Sequence, residues 1–307
     1  MRGAGAAMKL LHTGKVKEVY DAGPDELLFH FTDNISVFDK IIPSQIPRKG
    51  EVLCRISEHW FRECAKAGIA SHFGKLETPT DMLVKKVQVI HDYAKLDAKT
   101  TNYLIPLEVI CRHFVAGSLH DKVKKGAVKP DALGFPKGAA VPYGAKLPEP
   151  LIEFTTKLEK VDRPVDRAEA LKISGLSEKE LQGVEAAVLR IDELIARKVE
   201  ARGLIHVDGK KEFAFDASRR LMVIDTFGTP DEDRFWDKKL YEKGEFVELS
   251  KEFVRQHYRA TGYYDKLTEA REQQAPEPDI PALPGKVVAE VAKLYAGIFE
   301  RVTGETF

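Results

Sequence analysis

The chain has 307 residues, with 48 Lys+Arg against 48 Asp+Glu, no net charge and a pI near 7.1. That balance argues against nucleic acid or an anionic membrane as the main partner, and no apolar run approaches the roughly 18 residues of a membrane span. Cys54, Cys64 and Cys111 make no CxxC pair and no even framework, so they read as reduced thiols of a cytoplasmic protein.

Met1–Ala7 is made of small residues and lacks the apolar h-region of a signal peptide. Leu11–Tyr20 and Leu27–Thr32 read as two strands around the turn-rich Asp21–Asp25, with Gly14 at the head of the first and Lys15 and Lys17 on one face. No Gly-Lys pair is followed by Ser or Thr, so there is no Walker A loop. A Gly-Lys-x-Lys strand can instead clasp phosphates, as glycine-rich kinase hairpins do; alternating lysines also serve to protect an edge strand from aggregation. Asp33–Asp39 and Ile46–Glu51 read as polar loops. Val52–Gly68 is helical, with Leu53, Ile56, Trp60 and Cys64 on one stripe. Leu83–Val87 and Pro106–Arg112 read as strands and Ala116–Ser118 as a turn. Gly126–Pro150 lacks periodicity and reads as a functional or disordered loop.

Ser177 with Glu180 three residues on is a capping box. It opens the longest helix, which carries Leu181, Val184, Val188, Ile191, Ile195 and Val199 at helical spacing and stops near Gly203. A helix through Glu245–Ala260, a proline-rich linker and an amphipathic helix Lys286–Val302 end the chain.

Val207–Trp236 is the densest stretch of chemistry. Asp208, Lys210 and Glu212 alternate with Val207, Lys211, Phe213 and Phe215, the period of a strand with two unlike faces. Ala217–Arg220 supplies a turn, and Leu221–Ile224 is an apolar strand ending at Asp225. Pairing Ala217 with Arg220, or Asp216 with Leu221, sets Glu212 directly across from Asp225, about 5 Å apart at Cβ. Two carboxylates so close need a cation between them, and Mg²⁺ bridging to phosphate oxygens suits that position. The alternative is a solvated charged hairpin in another register.

The motifs then accumulate in order: Gly14-Lys-Val-Lys-Glu-Val-Tyr20; Asp33-Asn-Ile-Ser-Val-Phe-Asp39 with Pro47-Arg-Lys-Gly-Glu-Val52; Pro106-Leu-Glu-Val-Ile-Cys-Arg-His-Phe-Val-Ala-Gly-Ser118; Leu147-Pro-Glu-Pro-Leu with Thr155-Thr-Lys157; Asp208–Glu212; Asp225–Trp236; and Leu283-Pro with Thr303-Gly304. This series resembles the SAICAR synthetases, the phosphoribosylaminoimidazole-succinocarboxamide synthases of purine biosynthesis, over nearly the whole chain. The resemblance implies an α+β or α/β fold related to protein kinases and ATP-grasp enzymes. An antiparallel β domain (1–107) would lie over a larger α/β domain (108–307), with ATP in the cleft. It implies that ATP phosphorylates the carboxylate of CAIR, a carboxylated aminoimidazole ribonucleotide, and that the amine of L-aspartate displaces phosphate. A carboxylate is a poor acyl donor, and phosphorylation repairs this by positioning and charge neutralisation.

The same resemblance implies roles. Gly14, Lys15, Val16, Lys17 and Lys85 would hold ATP, with the backbone around Glu108 meeting the adenine. Glu212 and Asp225 would hold Mg²⁺. Lys210, Arg112 and Asp162 would serve catalysis. Ser36, Asp39, Lys49, Gly50, Arg112, Ser118, Asp231 and Arg234 would line the substrate side, where Arg forks suit phosphate and carboxylate. Partners would be the small molecules ATP, CAIR and L-aspartate, with no nucleic acid and no membrane; a homo-oligomer is left open. The chain departs from the family at Thr226, where a Glu commonly follows the Asp, and at Lys160-Val-Asp162, where a His-Asp pair is usual. It departs also at His113-Phe114, where packing is the simpler role for Phe114. Competing readings are a kinase-like phosphotransferase that needs no aspartate and a non-catalytic nucleotide-binding module. Lys17, Lys210, Glu212 and Asp225 weigh against the latter.

Overall fold

Residues 8–307 are described in a computed structural model; the Met1–Ala7 segment, with its missing h-region, lies outside the described residues. The Leu11–Tyr20 stretch is two strands rather than one. Lys9–Thr13 (β1) turns at Gly14 into Lys17–Asp21 (β2), and the Gly14 N–H donates to the Lys17 carbonyl at 2.8 Å. A Cβ at Gly14 would sit 2.9 Å from that carbonyl oxygen, so the turn requires glycine. Glu26–Phe31 (β3) follows. Asp33–Asp39, expected as loop, instead holds Asn34–Val37 (β4), which forms a separate hairpin with Lys40–Gln45 (β5). Its tip, Phe38-Asp39, has φ of 53° and 66°, the left-handed pair of a tight two-residue turn.

The first helix, Lys49–Lys66 (α1), starts three residues before Val52. Gly50 lies in its first turn, where a Cβ would come within 2.4 Å of the Phe31 carbonyl oxygen. Phe73–Thr78 (β6) and Asp81–Lys85 (β7) complete an antiparallel sheet ordered β1-β2-β3-β7-β6.

The chain then enters a six-stranded antiparallel sheet. Tyr103–Phe114 (β8) spans the 107/108 position and belongs whole to this sheet, so sheet membership changes between Lys85 and Tyr103. Ala116–Ser118 does not form an isolated turn but opens a helix, Gly117–Lys124 (α2). The 126–150 stretch is ordered: Pro130–Leu133 forms a 3₁₀ turn, and Lys146–Thr156 (β9) starts inside it. Leu133 and Leu147 pack there against Val115 and Leu119, which ties the segment down. Pro164–Val165 (β10) and Arg167–Ser174 (α3) lead to Glu178–Glu200 (α4), whose Ser177–Glu180 capping box is formed. Leu181, Val184, Val188, Ile191, Ile195 and Val199 are buried against the sheet, each worth roughly 1.5–3 kcal/mol of apolar transfer.

Leu204–Phe215 (β11) is central, between β8 and Leu221–Ile224 (β12), and its first half also pairs with Asp233–Asp237 (β13). The β11–β12 register differs by one from the expected one: Glu212 lies opposite Ile224, not Asp225. The cause is a local cap. Asp216 accepts from the Ser218 and Arg220 N–H groups at 2.8 and 2.9 Å, and Arg219 takes φ of 55°, giving a three-residue loop.

Lys238–Tyr241 (α5), Glu252–Ala260 (α6), Tyr263–Glu272 (α7) and Gly285–Thr303 (α8) finish the chain. The helix expected over 245–260 forms only from Glu252, because Glu248 is drawn into a bridge with Trp236. No helix among the described residues is long and apolar enough to cross a membrane.

Candidate active site

Alternation along β11 decides what faces the cleft. Lys210 and Glu212 point into it, whereas Lys211 and Phe213 point back and are fully buried. The carboxylate directly across from Glu212 is Glu108 on β8. Two ammonium groups keep them from repelling. Lys210 reaches Glu108 at 2.8 Å and Glu212 at 3.0 Å, and Lys157 from the end of β9 reaches Glu212 at 2.7 Å and Glu108 at 3.6 Å. Burial pushes the Glu108 carboxyl above its ordinary pKa. Burial acts the same way on Glu212, but Lys157 and Lys210 outweigh it and hold Glu212 ionised.

Asp225 reaches this group from just past β12. Its φ of 59° turns the chain there, and the carboxylate pairs with Lys17 of β2. Burial opposes the charge on Asp225, and Lys17, Lys157 and Lys210 more than offset it, so its pKa lies below the usual range. Asp225 and Glu212 thus share one electrostatic environment without facing each other in register. Both offer only oxygen donors, which fits a hard divalent cation that also binds phosphate. The other groupings of metal-type side chains among the described residues, Cys111/His113/Asp192 and Asp192/His206/Asp233, lie behind β11, where the Lys211 ammonium already serves Asp192 and Asp233.

A chamber of about 1150 Å³ opens between the two sheets. Gly14, Lys15, Val16, Lys17, Lys85 and Glu108 all line it. So do Ser36, Asp39, Asp162, Glu212 and Asp225. Lys15 pairs with Asp39 at the β4–β5 tip, where Phe38 packs on Tyr264 with ring centres 4.6 Å apart. Burial raises the Asp162 carboxyl. One expectation changes: the Glu108 backbone is paired on both sides, with Glu212 and with Thr155, so it is spent in the ladder. Its carboxylate, not its backbone, faces the cleft.

A smaller chamber of about 350 Å³ adjoins the first. Arg112, Ser118, Asp231 and Arg234 line it. Arg112 donates to Asp208 and Ser118 at 3.1 Å each, and Arg234 pairs with Asp208 and, at 3.3 Å, with Glu252. Both guanidinium groups lie beside the N-terminus of α2, a place suited to an anion. Gly117 makes this approach possible, since a Cβ there would lie 2.6 Å from an Arg234 nitrogen.

Lys49 and Gly50 do not line either chamber. Lys49 is fully buried and donates to Asp231 at 2.9 Å from behind, while the Gly50 N–H donates to the Asp33 carboxylate at 2.9 Å. Asp231 also accepts from Tyr295 at 2.6 Å and Lys251 at 3.3 Å. His113 contacts Asp192 at 3.0 Å on the far side of the sheet, and Phe114 packs on Trp236. Sequence reasoning assigned no role to Lys157, Glu232, Lys251 or Arg255, all of which line the cleft. Lys157 and Glu232 fall inside quoted motifs, Thr155-Thr-Lys157 and Asp225–Trp236, and Lys251 and Arg255 stand four apart in the sequence.

Comparison with known proteins agrees with this architecture. The SAICAR synthetase family model matches residues 10–270. The phosphoribosylaminoimidazole-succinocarboxamide synthase of Thermoplasma acidophilum is 51% identical over 301 residues, covering 97% of this chain and 99% of that protein. The synthase of Nitrosopumilus maritimus is 32% identical over 97% of this chain and 100% of its own length. Among solved structures, a SAICAR synthetase in complex with ADP superposes with a TM-score of 0.68 at 26% identity, covering 96% of this chain and 98% of that one. The Saccharomyces cerevisiae SAICAR synthase complexed with SAICAR shares the fold, with a TM-score of 0.73 at 24% identity over 98% and 96% of the two chains. By sequence along nearly its whole length, and by fold, this chain belongs to the SAICAR synthetase family.

Proposed function

We propose that the two chambers divide the ligation between them. The chain is an ATP-dependent ligase that joins CAIR and L-aspartate to give SAICAR, ADP and phosphate. In our reading the larger chamber takes ATP, under the five-stranded sheet as a lid, with Lys15 and Lys17 on the phosphates. The smaller chamber takes the ribonucleotide, with Arg112, Ser118 and Arg234 on its anionic groups.

One observation carries this reading: Lys210 lines both chambers. Its ammonium stands where a phosphoryl group passing from ATP to the CAIR carboxylate would cross, and fixed positive charge there stabilises the transferring oxygens. Glu212 and Asp225 would hold Mg²⁺, which when bound would neutralise phosphate charge. Lys157 and Lys210 balance those carboxylates and keep them ionised. Asp162 faces Lys157 from the wall of the ATP chamber and contributes there.

The test is ADP release by the purified protein with ATP and Mg²⁺, adding CAIR and L-aspartate singly and together. Continuous turnover that requires both is expected, with a single burst of ADP from CAIR alone as the acyl phosphate forms. Sustained turnover without L-aspartate would replace this reading with a plain phosphotransferase.

A further inference from the structure

The amine step needs a proton acceptor. The amine of L-aspartate is an ammonium at neutral pH and cannot attack carbon until it loses a proton. The acceptor must reach the point where the acyl phosphate forms, at the junction of the chambers. Among the described residues only two acidic side chains line both chambers, Asp231 and Glu232.

Asp231 is unsuited to the task. Its side chain is 2% exposed and already accepts from Lys49, Tyr295 and Lys251. Glu232 differs. Its carboxylate is 25% exposed, and among the described residues its one ion pair is with Lys210 at 3.4 Å. Its backbone is fixed: the Lys210 N–H donates to the Glu232 carbonyl at 3.4 Å, and the Glu232 N–H donates to Thr229 at 3.2 Å. Its neighbours are anchored from behind, Asp231 by Lys49 and Asp233 by Lys211, His206 and the Gly228 N–H. The 228–233 turn therefore presents one loosely paired carboxylate, on a rigid support, beside Lys210.

We infer that Glu232 is a catalytic residue that takes the proton from the attacking ammonium of L-aspartate. This rests on the acyl phosphate forming beside Lys210, as proposed above. The ammonium gives one proton to the Glu232 carboxylate. Its lone pair then forms the new C–N bond to the acyl carbon. The bond from that carbon to the bridging oxygen breaks and phosphate departs with the electron pair. A second proton passes from nitrogen to the departing phosphate, leaving the amide, hydrogen phosphate and a protonated Glu232 that returns its proton to water. Asp162, the other acid expected to serve catalysis, lines only the ATP chamber.

The experiment compares wild type, Glu232→Gln and Asp162→Asn in three assays: the ADP burst with CAIR alone, turnover with L-aspartate, and turnover with hydroxylamine. Hydroxylamine is largely neutral at pH 7 and needs no base. For Glu232→Gln the expected result is turnover with L-aspartate lower by on the order of 100-fold, with the burst and the hydroxylamine reaction within a few fold of wild type. The retained burst also reports a folded protein. Equal losses with both nucleophiles, near-wild-type turnover with L-aspartate, or the selective loss appearing in Asp162→Asn instead would each overturn the assignment. Absence of a CAIR-dependent burst in wild type would count against the acyl-phosphate reading itself, independently of Glu232.

Discussion

Lys211 and Asp233 form an ion pair 2.8 Å long with neither side chain exposed, immediately behind the strand that presents Lys210 and Glu212 to the cleft. Asp192 of α4 shares the same ammonium, and His206 Nε2 lies 2.7 Å from Asp233. The packing leaves no slack: a Cβ at Gly209 would lie 1.9 Å from an Asp233 oxygen and 2.6 Å from Lys211 Nζ. Removing one partner of a buried pair strands the other charge. Lys211→Met is therefore expected to lower unfolding stability by roughly 3–5 kcal/mol, measured by urea denaturation. A loss under about 1 kcal/mol would mean that Asp192 and Asp233 find other compensation.

The proposed cation site makes a separable prediction. Glu212→Gln and Asp225→Asn each remove one anionic oxygen donor while keeping size. Each is expected to reduce ATP turnover by at least about 100-fold, as loss of a fixed electrostatic contact commonly does, and to raise the Mg²⁺ concentration needed for half-maximal rate. Chelating Mg²⁺ should abolish ADP release by the wild type. Near-wild-type rates in both variants would remove these two residues from the metal assignment.

How much of this was legible in the sequence depends on range. The period-2 pattern of β11 placed Lys210 and Glu212 on one face, and the Ser177–Glu180 box placed the start of α4, because both signals are local. The register of β11 against β12 was not legible: Asp216 capping its own turn costs nothing visible in the pattern yet shifts the partner of Glu212 by one residue. Gly14 read as a strand opening because a tight turn inside Leu11–Tyr20 leaves the apolar alternation nearly intact. Glu108 facing Glu212, Lys157 bridging them and Glu232 docking on Lys210 are contacts between distant segments, which no window of sequence contains.

Acid stability gives a prediction from the α4 cap. Glu180 accepts from Arg219 at 2.7 and 3.1 Å and from the Ser177 N–H and hydroxyl at 2.8 Å each. Arg219 first, then Ser177, draw its pKa down to about 2 from the ordinary 4.5. A folded-state pKa below the unfolded one means stabilisation that is full above about 4.5 and lost as pH falls toward about 2. Glu180→Gln should cost about 1 kcal/mol at neutral pH, the scale of a helix cap. The deficit should narrow in urea melts at about pH 3.5, where the unfolded wild-type chain takes up a proton that the folded state does not. A deficit independent of pH would assign the effect to shape rather than charge.

The C-terminal helix enters the site through one hydroxyl. Tyr295 of α8 donates to Asp231 at 2.6 Å, on the side of that carboxylate away from the cleft. Burial opposes the charge on Asp231, and Lys251, Lys49 and the Tyr295 hydroxyl outweigh it, keeping the carboxylate ionised. Tyr295→Phe deletes the hydroxyl and little volume, and Asp231 keeps Lys49 at 2.9 Å. The expected stability loss is therefore only about 0.5–1.5 kcal/mol, that of one hydrogen bond. The larger effect should fall on substrate. With Asp231 Oδ1 left without the Tyr295 hydroxyl, the wall of the ribonucleotide chamber loosens, and kcat/KM for CAIR should drop roughly 3- to 10-fold, the kinetic equivalent of about 1 kcal/mol. KM for ATP should stay within about two-fold, because the lysines set on its phosphates, Lys15 and Lys17, pair with Asp39 and Asp225 and not with Asp231. Equal changes in both KM values would instead indicate that α8 supports the whole cleft rather than Asp231 alone.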